Sequence, residues 1–334
     1  MILASGRGKR LSPLTDQQPK SLLPVANRPI LDYLLAAVDA VRFTEIYVTL
    51  GYARDAMQDY LTTLSLHGDL IPVEAPNWQQ GPLASFESVL PFLSKTSPWV
   101  LLPGDLYISK ENLRLLTTTS ADVALLYDPF SHRPGTLLQL DASEHISVLT
   151  QSSAYLAGYY PGLPALRATT RFFENTIRNT TDSASTVFTL LQQWLMQDQS
   201  LQGIPITDRV WCDVDSVTNL VALNAHLLAE GWPPQPFPPG TYLPPGTSME
   251  GPLQSATLTL GKEAKIEGPV LLGPRVHVGE NCIIDNGTTL GRHTIVYSNS
   301  VLSRCITLPD THVPVNTDLS GAILDARGNV FYST

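Results

Sequence analysis

The sequence predicts an α/β fold followed by a β-helix solenoid, and three observations predict it. Residues 1–230 alternate strand-like apolar runs with runs at helical spacing, as a mostly parallel sheet flanked by helices requires. A proline-dense stretch, GWPPQPFPPGTYLPPGT at 231–247, then breaks that alternation. Beyond it an aliphatic residue recurs at every sixth position, the period of a β-helix coil side. The domains expected are a catalytic unit at 1–230, a semi-rigid linker at 231–250 and a solenoid at 251–334.

Each element follows from local pattern. ILA at 2–4 is a short buried strand ahead of a glycine turn, with only Met1 to Leu3 to build it. Leu31, Leu34, Leu35, Val38 and Val41 share one helical face. EIYVTL at 45–50 is a strand, and the polar segment after Gly51 suits a helix. WVLLPGD at 99–105 is a strand running into a turn, and ADVALLY at 121–127 is another strand. Val187, Leu190, Leu191, Trp194 and Leu195 mark a second helical face. Ligands of such sheets sit beyond the carboxyl ends of the strands. Both ILA-SGRG and VLLP-GD end strands, so the glycine turn and Asp105 are expected to face one crevice.

In the solenoid the inward column reads Leu260, Ile266, Leu272, Val278, Ile284, Leu290, Val296, Leu302 and Leu308. A second column two positions earlier reads Leu258, Ala264, Val270, Val276, Cys282, Thr288, Thr294 and Ser300. Gly261, Gly273, Gly279 and Gly291 follow the aliphatic position at the turns. About three coils of three sides are expected.

Composition narrows the function. With 43% hydrophobic and 15% charged residues, 334 residues can bury a large core. A net charge of −9 argues against nucleic acid as the main partner. Cys212, Cys282 and Cys305 form no CxxC, which disfavours a disulfide framework or a zinc site. No apolar run is long enough for a membrane span and no signal-peptide pattern opens the chain, so a cytoplasmic location is expected. The seven histidines show no metal-ligand spacing.

The opening string, MILASGRGKRLSPLTDQQPKSLLP, reads as a phosphate cradle. Gly6 and Gly8 permit a tight turn and close approach to a ligand. Arg10 offers a planar fork and Lys20 a point charge. A P-loop is excluded because Pro19 precedes Lys20-Ser21, and a dinucleotide fingerprint because Leu11 stands where its third glycine belongs. Gly-x-Gly by itself marks only a tight turn.

The longer string SGRGKRLSPLTDQQPKSLLPVANRPILDYL resembles the signature of the sugar-1-phosphate nucleotidyltransferases, the NDP-sugar pyrophosphorylase family. The matching residues are Gly6, Gly8, Arg10, Leu11, Pro13, Leu14, Thr15, Pro19, Lys20, Leu22, Leu23, Pro24 and Val25. QQGPLASFESVL at 79–90, VLLPGDLYI at 100–108 and VWCDVDSVTNLVALNAHLL at 210–228 are similar to further family segments. The resemblance covers most of the chain and is weakest at about 110–205.

It implies a Rossmann-like sheet with a left-handed parallel β-helix behind it. It also implies a reaction: a nucleoside triphosphate and a sugar 1-phosphate give an NDP-sugar and pyrophosphate, with Mg2+ as cofactor. Asp105 and Asp213 would hold the ion. Asp215 replaces a glycine common in relatives and would be a further ligand, on the same side as Asp213 if the segment is extended. Arg10 would grip the β- and γ-phosphates, and Lys20 the phosphate where charge develops. Leu3, Ala4, Gly6, Gly8, Gln80 and Gly81 would contact the nucleotide, and Gly158 the sugar. A homo-oligomer assembled through the β-helix is expected. His277 and His293 lie in the solenoid, where some relatives carry an acyltransferase histidine, but too few coils are present to expect that activity.

One departure stands out. Relatives place a lysine on the sugar phosphate, yet this chain has no lysine between Lys110 and Lys262. An arginine could substitute, and Arg133, Arg167, Arg171 and Arg209 are available. The alternative reading is a non-catalytic paralogue that binds nucleotide or sugar ligands without turnover.

Overall fold

A computed structural model of the chain describes residues 1–93, 97–177, 186–230 and 240–333. It divides into two compact units. The first gathers Met1–Gly8, Thr15–Ser21 and Leu31–Asp213; the second gathers Lys9–Leu14, Leu22–Ile30 and Val214–Thr334.

The first unit is built on a nine-stranded mixed sheet. Ile2–Leu3 lies between Glu45–Leu50 and Trp99–Pro103, parallel to both, with Ile2 opposite Val48 and Leu102. Asp69–Glu74 extends the parallel half. In the other half Tyr160–Ala168 runs antiparallel to Trp99–Pro103, Ala124–Tyr127 and Gly135–Leu140, and Gln202–Pro205 joins Ala124–Tyr127 in parallel. The two-residue first strand survives because neighbours cover it on both edges. The predicted apolar helix face forms as Ile30–Val41, with Leu31, Leu34, Leu35 and Val38 buried. That helix stops at Arg42, whose φ of 68° leaves the right-handed region and whose N–H reaches the carbonyl of Asp39. Lys110–Thr118 starts where the Ser109 hydroxyl accepts from the N–H of Asn112. Behind the sheet Phe86, Trp99 and Phe173 stack, the two phenyl centroids 3.8 Å apart.

The two-stranded ladder of Leu106–Ile108 and Trp211–Asp213 stands apart from that sheet. The segment leading into its second strand is held by Asn112, which is fully buried. The Asn112 Oδ1 accepts from the N–H of Thr207 at 2.9 Å, and its Nδ2 donates to the carbonyl of Asp208 at 2.9 Å.

The second unit is a parallel β-helix. Its three faces each stack four parallel strands, one face being Val270–Leu272, Thr288–Leu290, Ile306–Thr307 and Ala322–Leu324. The aliphatic column is buried from Leu260 through Leu302. Two details correct the sequence count. Leu260 opposes Val278 and Ile284 opposes Leu302, eighteen residues per coil, whereas Leu290 opposes Thr307 and Val296 opposes Val313, seventeen. The corner at Asn286 and Gly287 uses two residues of positive φ; its successor turns on Arg304 alone. Thr307 therefore takes the inward place, and Leu308 is only half-buried. The shortened coils hid Val313, Leu319 and Leu324 from a period of six, so the described residues hold four coils rather than three.

Three antiparallel strands cover the first coil's edge: Thr241–Leu243, Ser248–Glu250 and Leu253–Gln254. Two of these fall within the stretch expected to be linker, of which residues 231–239 lie outside the described residues. Val330–Tyr332 covers one strand of the last coil. The helix Val217–Ala229 is bound to the solenoid and to the Leu22–Ile30 segment through one buried side chain. Asn224 Oδ1 accepts from the N–H of Ala26 at 2.9 Å and from the Thr289 hydroxyl at 2.8 Å, and its Nδ2 donates to the carbonyl of Gly287 at 2.7 Å.

Candidate active site

The site in the first unit grows from where strands end. Trp99–Pro103 runs into Gly104 and Asp105. A Cβ on Gly104 would stand 2.9 Å from the Ala4 Cβ and 3.1 Å from the Leu3 carbonyl oxygen, so only glycine fits there. The Gly104 N–H donates to that same carbonyl at 2.8 Å, locking the turn to the first strand. The chain then enters the two-stranded ladder, in which Leu106 opposes Asp213. That register sets Asp105 beside Asp213, and their carboxylate oxygens lie within 4.8 Å of one another. Two residues more than one hundred apart in sequence become neighbours through one strand pairing.

Lys20 joins them. Its ammonium is ion-paired with the Asp105 carboxylate, and the side chains are only 15% and 13% exposed, so this lysine is not a solvated surface charge. Its stem needs Gly8. A Cβ on that residue, whose φ is +71°, would lie 2.7 Å from the Lys20 Cβ. The Gly8 carbonyl accepts from the Thr15 hydroxyl at 3.1 Å. The Lys20 ammonium thus rests on the acidic group that the strand pairing sets beside Asp213.

Hydrogen bonds fix the segment expected to contact the nucleotide. The Ala4 N–H donates to the Thr49 hydroxyl at 3.0 Å, and the Ser5 carbonyl accepts from the Tyr52 N–H at 2.8 Å. The Ser5 and Ser85 hydroxyls are hydrogen-bonded at 2.6 Å, both buried. That bond ties Leu3, Ala4, Gly6 and Gly8 to the start of the helix Pro82–Glu87, just ahead of which sit Gln80 and Gly81. Gly6 faces open space, and Gln80 is exposed. Arg7, between the two glycines, pairs with Asp16 at 3.0 Å, and the Tyr52 hydroxyl donates to the Asp16 carbonyl at 2.6 Å. Gly158 lies at the exposed turn before Tyr160–Ala168.

Arg10 and Asp215 belong to the second unit. There they form an ion pair with Nη2 and Oδ2 2.8 Å apart, and the guanidinium is 75% exposed.

Sequence reasoning missed Asp128. It is 1% exposed and accepts from the Ser131 hydroxyl at 2.7 Å, the Phe130 N–H at 2.8 Å and the Trp211 indole N–H at 2.9 Å. Burial pushes its carboxyl pKa up. The hydrogen bonds from Ser131, Trp211 and Phe130, with the Arg133 charge, outweigh burial and hold it below the ordinary value. The DPFS string was a detectable signal, since an aspartate accepting from the second following N–H is an Asx turn.

Comparison with known proteins identifies the family. Residues 1–168, half of the chain, match the MobA-like NTP transferase domain. A candidate mannose-1-phosphate guanyltransferase of Sulfolobus acidocaldarius is 23% identical over 308 residues, 89% of this chain and 75% of that protein. The N-acetylmuramate alpha-1-phosphate uridylyltransferase of Neisseria meningitidis is 41% identical over 68 residues, 20% of this chain and 29% of its own length. The inositol-1-phosphate CTP transferase structure from T. maritima shares the fold, with a TM-score of 0.54 at 18% identity over 64% of this chain and 88% of that one. Among the described residues, no helix is long and apolar enough to cross a membrane. A glycine turn, a half-buried lysine packed against it, a Gly-Asp strand end and a Trp-x-Asp strand belong to one unit, and the chain belongs to the MobA-like NTP transferase domain family as a nucleotidyltransferase of the sugar-phosphate kind.

Proposed function

We propose that this chain joins a nucleoside triphosphate to a sugar 1-phosphate, giving an NDP-sugar and pyrophosphate. The observation that carries the reading is the pairing of Asp105 with Asp213 beside Lys20. In the reaction a phosphate oxygen of the sugar 1-phosphate forms a bond to the α-phosphorus. The bond from that phosphorus to the bridging oxygen breaks, and the electron pair leaves with pyrophosphate.

The donor set fits Mg2+. It is made of carboxylate oxygens alone, and Asp213 is only partly covered, which leaves room for water and phosphate oxygens. Asp105 and Asp213 would hold the ion, which when bound supplies charge neutralisation between the α-phosphate and the attacking phosphate. Lys20 serves the phosphate where charge accumulates, its stem fixed by Gly8. The N–H groups of the Gly6–Gly8 turn, close to Ala4 and Ser5, face the triphosphate, and the base lies against Gln80 and Gly81. Arg10, as grip for the departing pyrophosphate, enters this reading from the sequence signature, and Asp215, as a further ligand, from its place two residues after Asp213. In their own unit each neutralises the other until ligands compete for them.

The test is a panel of nucleoside triphosphates and sugar 1-phosphates screened for Mg2+-dependent pyrophosphate release. GTP with mannose 1-phosphate comes first, as the Sulfolobus relative's name suggests. Lys20→Ala and Asp105→Asn are each expected to lower turnover by about a hundredfold or more, the scale of losing one charge-stabilising group. Full turnover in either variant would falsify the assigned roles, and release with no pair would leave ligand binding without catalysis.

A further inference from the structure

Six arginines lie between Lys110 and Lys262. Arg114 is exposed on the helix Lys110–Thr118 and Arg178 lies outside the described residues; the structure separates the other four. Arg167 is spent on main chain, donating to the carbonyls of Ala121 at 2.9 Å and Leu116 at 3.1 Å. Arg171 is exposed beside Asp122 and Gln199. Arg209 lies over the Phe130 ring, 4.7 Å from its centroid. Arg133 lies over the Trp211 ring at 4.2 Å.

Trp211 is the first residue of the strand that ends in Asp213. Alternate residues of a strand share a face, and two residues span about 7 Å. The Trp211 ring, with the Arg133 guanidinium over it, therefore projects from the same face of the strand as the Asp213 side chain.

Its aim is fixed. Nε donates to the Ser131 hydroxyl at 3.3 Å, and Nη2 points at Asp128 Oδ2 from 3.5 Å. The same Asp128 holds the Trp211 indole N–H, so one buried carboxylate orients both the ring and the cation above it. The guanidinium keeps 42% of its side-chain surface exposed. Of its five N–H groups, those turned away from Ser131 and Asp128 form a fork suited to a phosphate.

We propose that Arg133 grips the phosphate of the sugar 1-phosphate on the Asp213 side of Trp211, with Asp128 as the positioning residue that aims it. This rests on the nucleotidyl-transfer reading. The competing role is purely structural: Arg133 as the counter-charge of buried Asp128.

Kinetics of the full chain separate these roles. Glucose, mannose and N-acetylglucosamine 1-phosphates serve as substrates, and inorganic phosphate as a competitor. Arg133→Gln is expected to raise KM for the sugar 1-phosphate, and Ki for inorganic phosphate, by at least about tenfold, as the loss of a charge-assisted hydrogen bond does. KM for the triphosphate should stay within about twofold. Arg133→Lys should recover part of the loss, since it keeps the charge without the fork. Unchanged KM and Ki with a lowered Tm would make Arg133 structural and overturn the proposal alone. Should the wild-type chain turn over no pair, the underlying reading fails and this assignment falls with it.

Discussion

At the residue scale the site depends on what is absent from one side chain and what is buried in another. Gly104 has no room for a Cβ against the Ala4 Cβ and Cα and the Leu3 carbonyl oxygen, which move only if the first strand's backbone moves. Gly104→Ala is expected to cost about 1–3 kcal/mol of stability, the usual penalty of overpacking. It should also lower kcat by more than tenfold, because the shift falls on Asp105; equilibrium unfolding and initial rates check both. Asp128 supplies the pH-dependent prediction. Its folded pKa lies below the ordinary 3.8, so it adds stability that is complete above 3.8 and is lost as pH falls through the folded value. Asp128→Asn should therefore be less stable than wild type at neutral pH, by about 1–3 kcal/mol for its weakened hydrogen bonds. That difference should shrink as pH is taken below 3.8; urea unfolding over a pH series measures it, and a constant gap would refute it.

At the element scale, short pieces hold because something else fixes them. The Ile2–Leu3 strand is two residues long and is sustained by parallel partners on both edges. The solenoid corners at Asn281, Asn299 and Asn316 adopt φ near 54–61°, which asparagine tolerates, and their amides stack in a ladder at 3.1 and 3.2 Å. The helix Val217–Ala229 depends on Asn224. Asn224→Leu fills similar space but abandons three partners: the N–H of Ala26, the hydroxyl of Thr289 and the carbonyl of Gly287. Each buried group left unpaired costs about 1–3 kcal/mol, so a loss of at least about 3 kcal/mol is expected in thermal or denaturant unfolding. A loss below about 1 kcal/mol would show that these bonds are replaced by water.

At the scale of the whole molecule, the two units answer different needs. The first assembles the acidic pair and its lysine. The second is a stack whose ends must be closed, since open strand edges recruit other strands. Antiparallel strands at 241–254 close its first coil. On the last coil, His312–Val313 and Asp318–Ser320 have no outer partner among the described residues. The case for assembly through the solenoid therefore narrows to that end. Light scattering is expected to report more than one chain per particle, and Asp318→Arg, which reverses the charge on that edge, should shift the mass towards one chain. A monomer at every concentration would remove the oligomer.

Local pattern along the chain was enough to read the elements and the chemistry on offer. Apolar spacing is a local property, so the helix face from Leu31 to Val38, the strand at 45–50 and the aliphatic column to Leu302 were all legible in it. The glycine turn, Lys20, Asp105 and Asp213 were legible as residue types in a signature. Only the tertiary structure decided which of them meet. Strand register placed Asp105 against Asp213, and two distant segments packing together gave Trp211 its bond to Asp128 and set Arg133 above it. The shortened coils escaped for the same reason: a corner one residue shorter changes register without changing composition. Periodicity reports which face a residue shows to the core, whereas contact between remote residues depends on hydrogen-bond register and buried polar partners, which no local window contains.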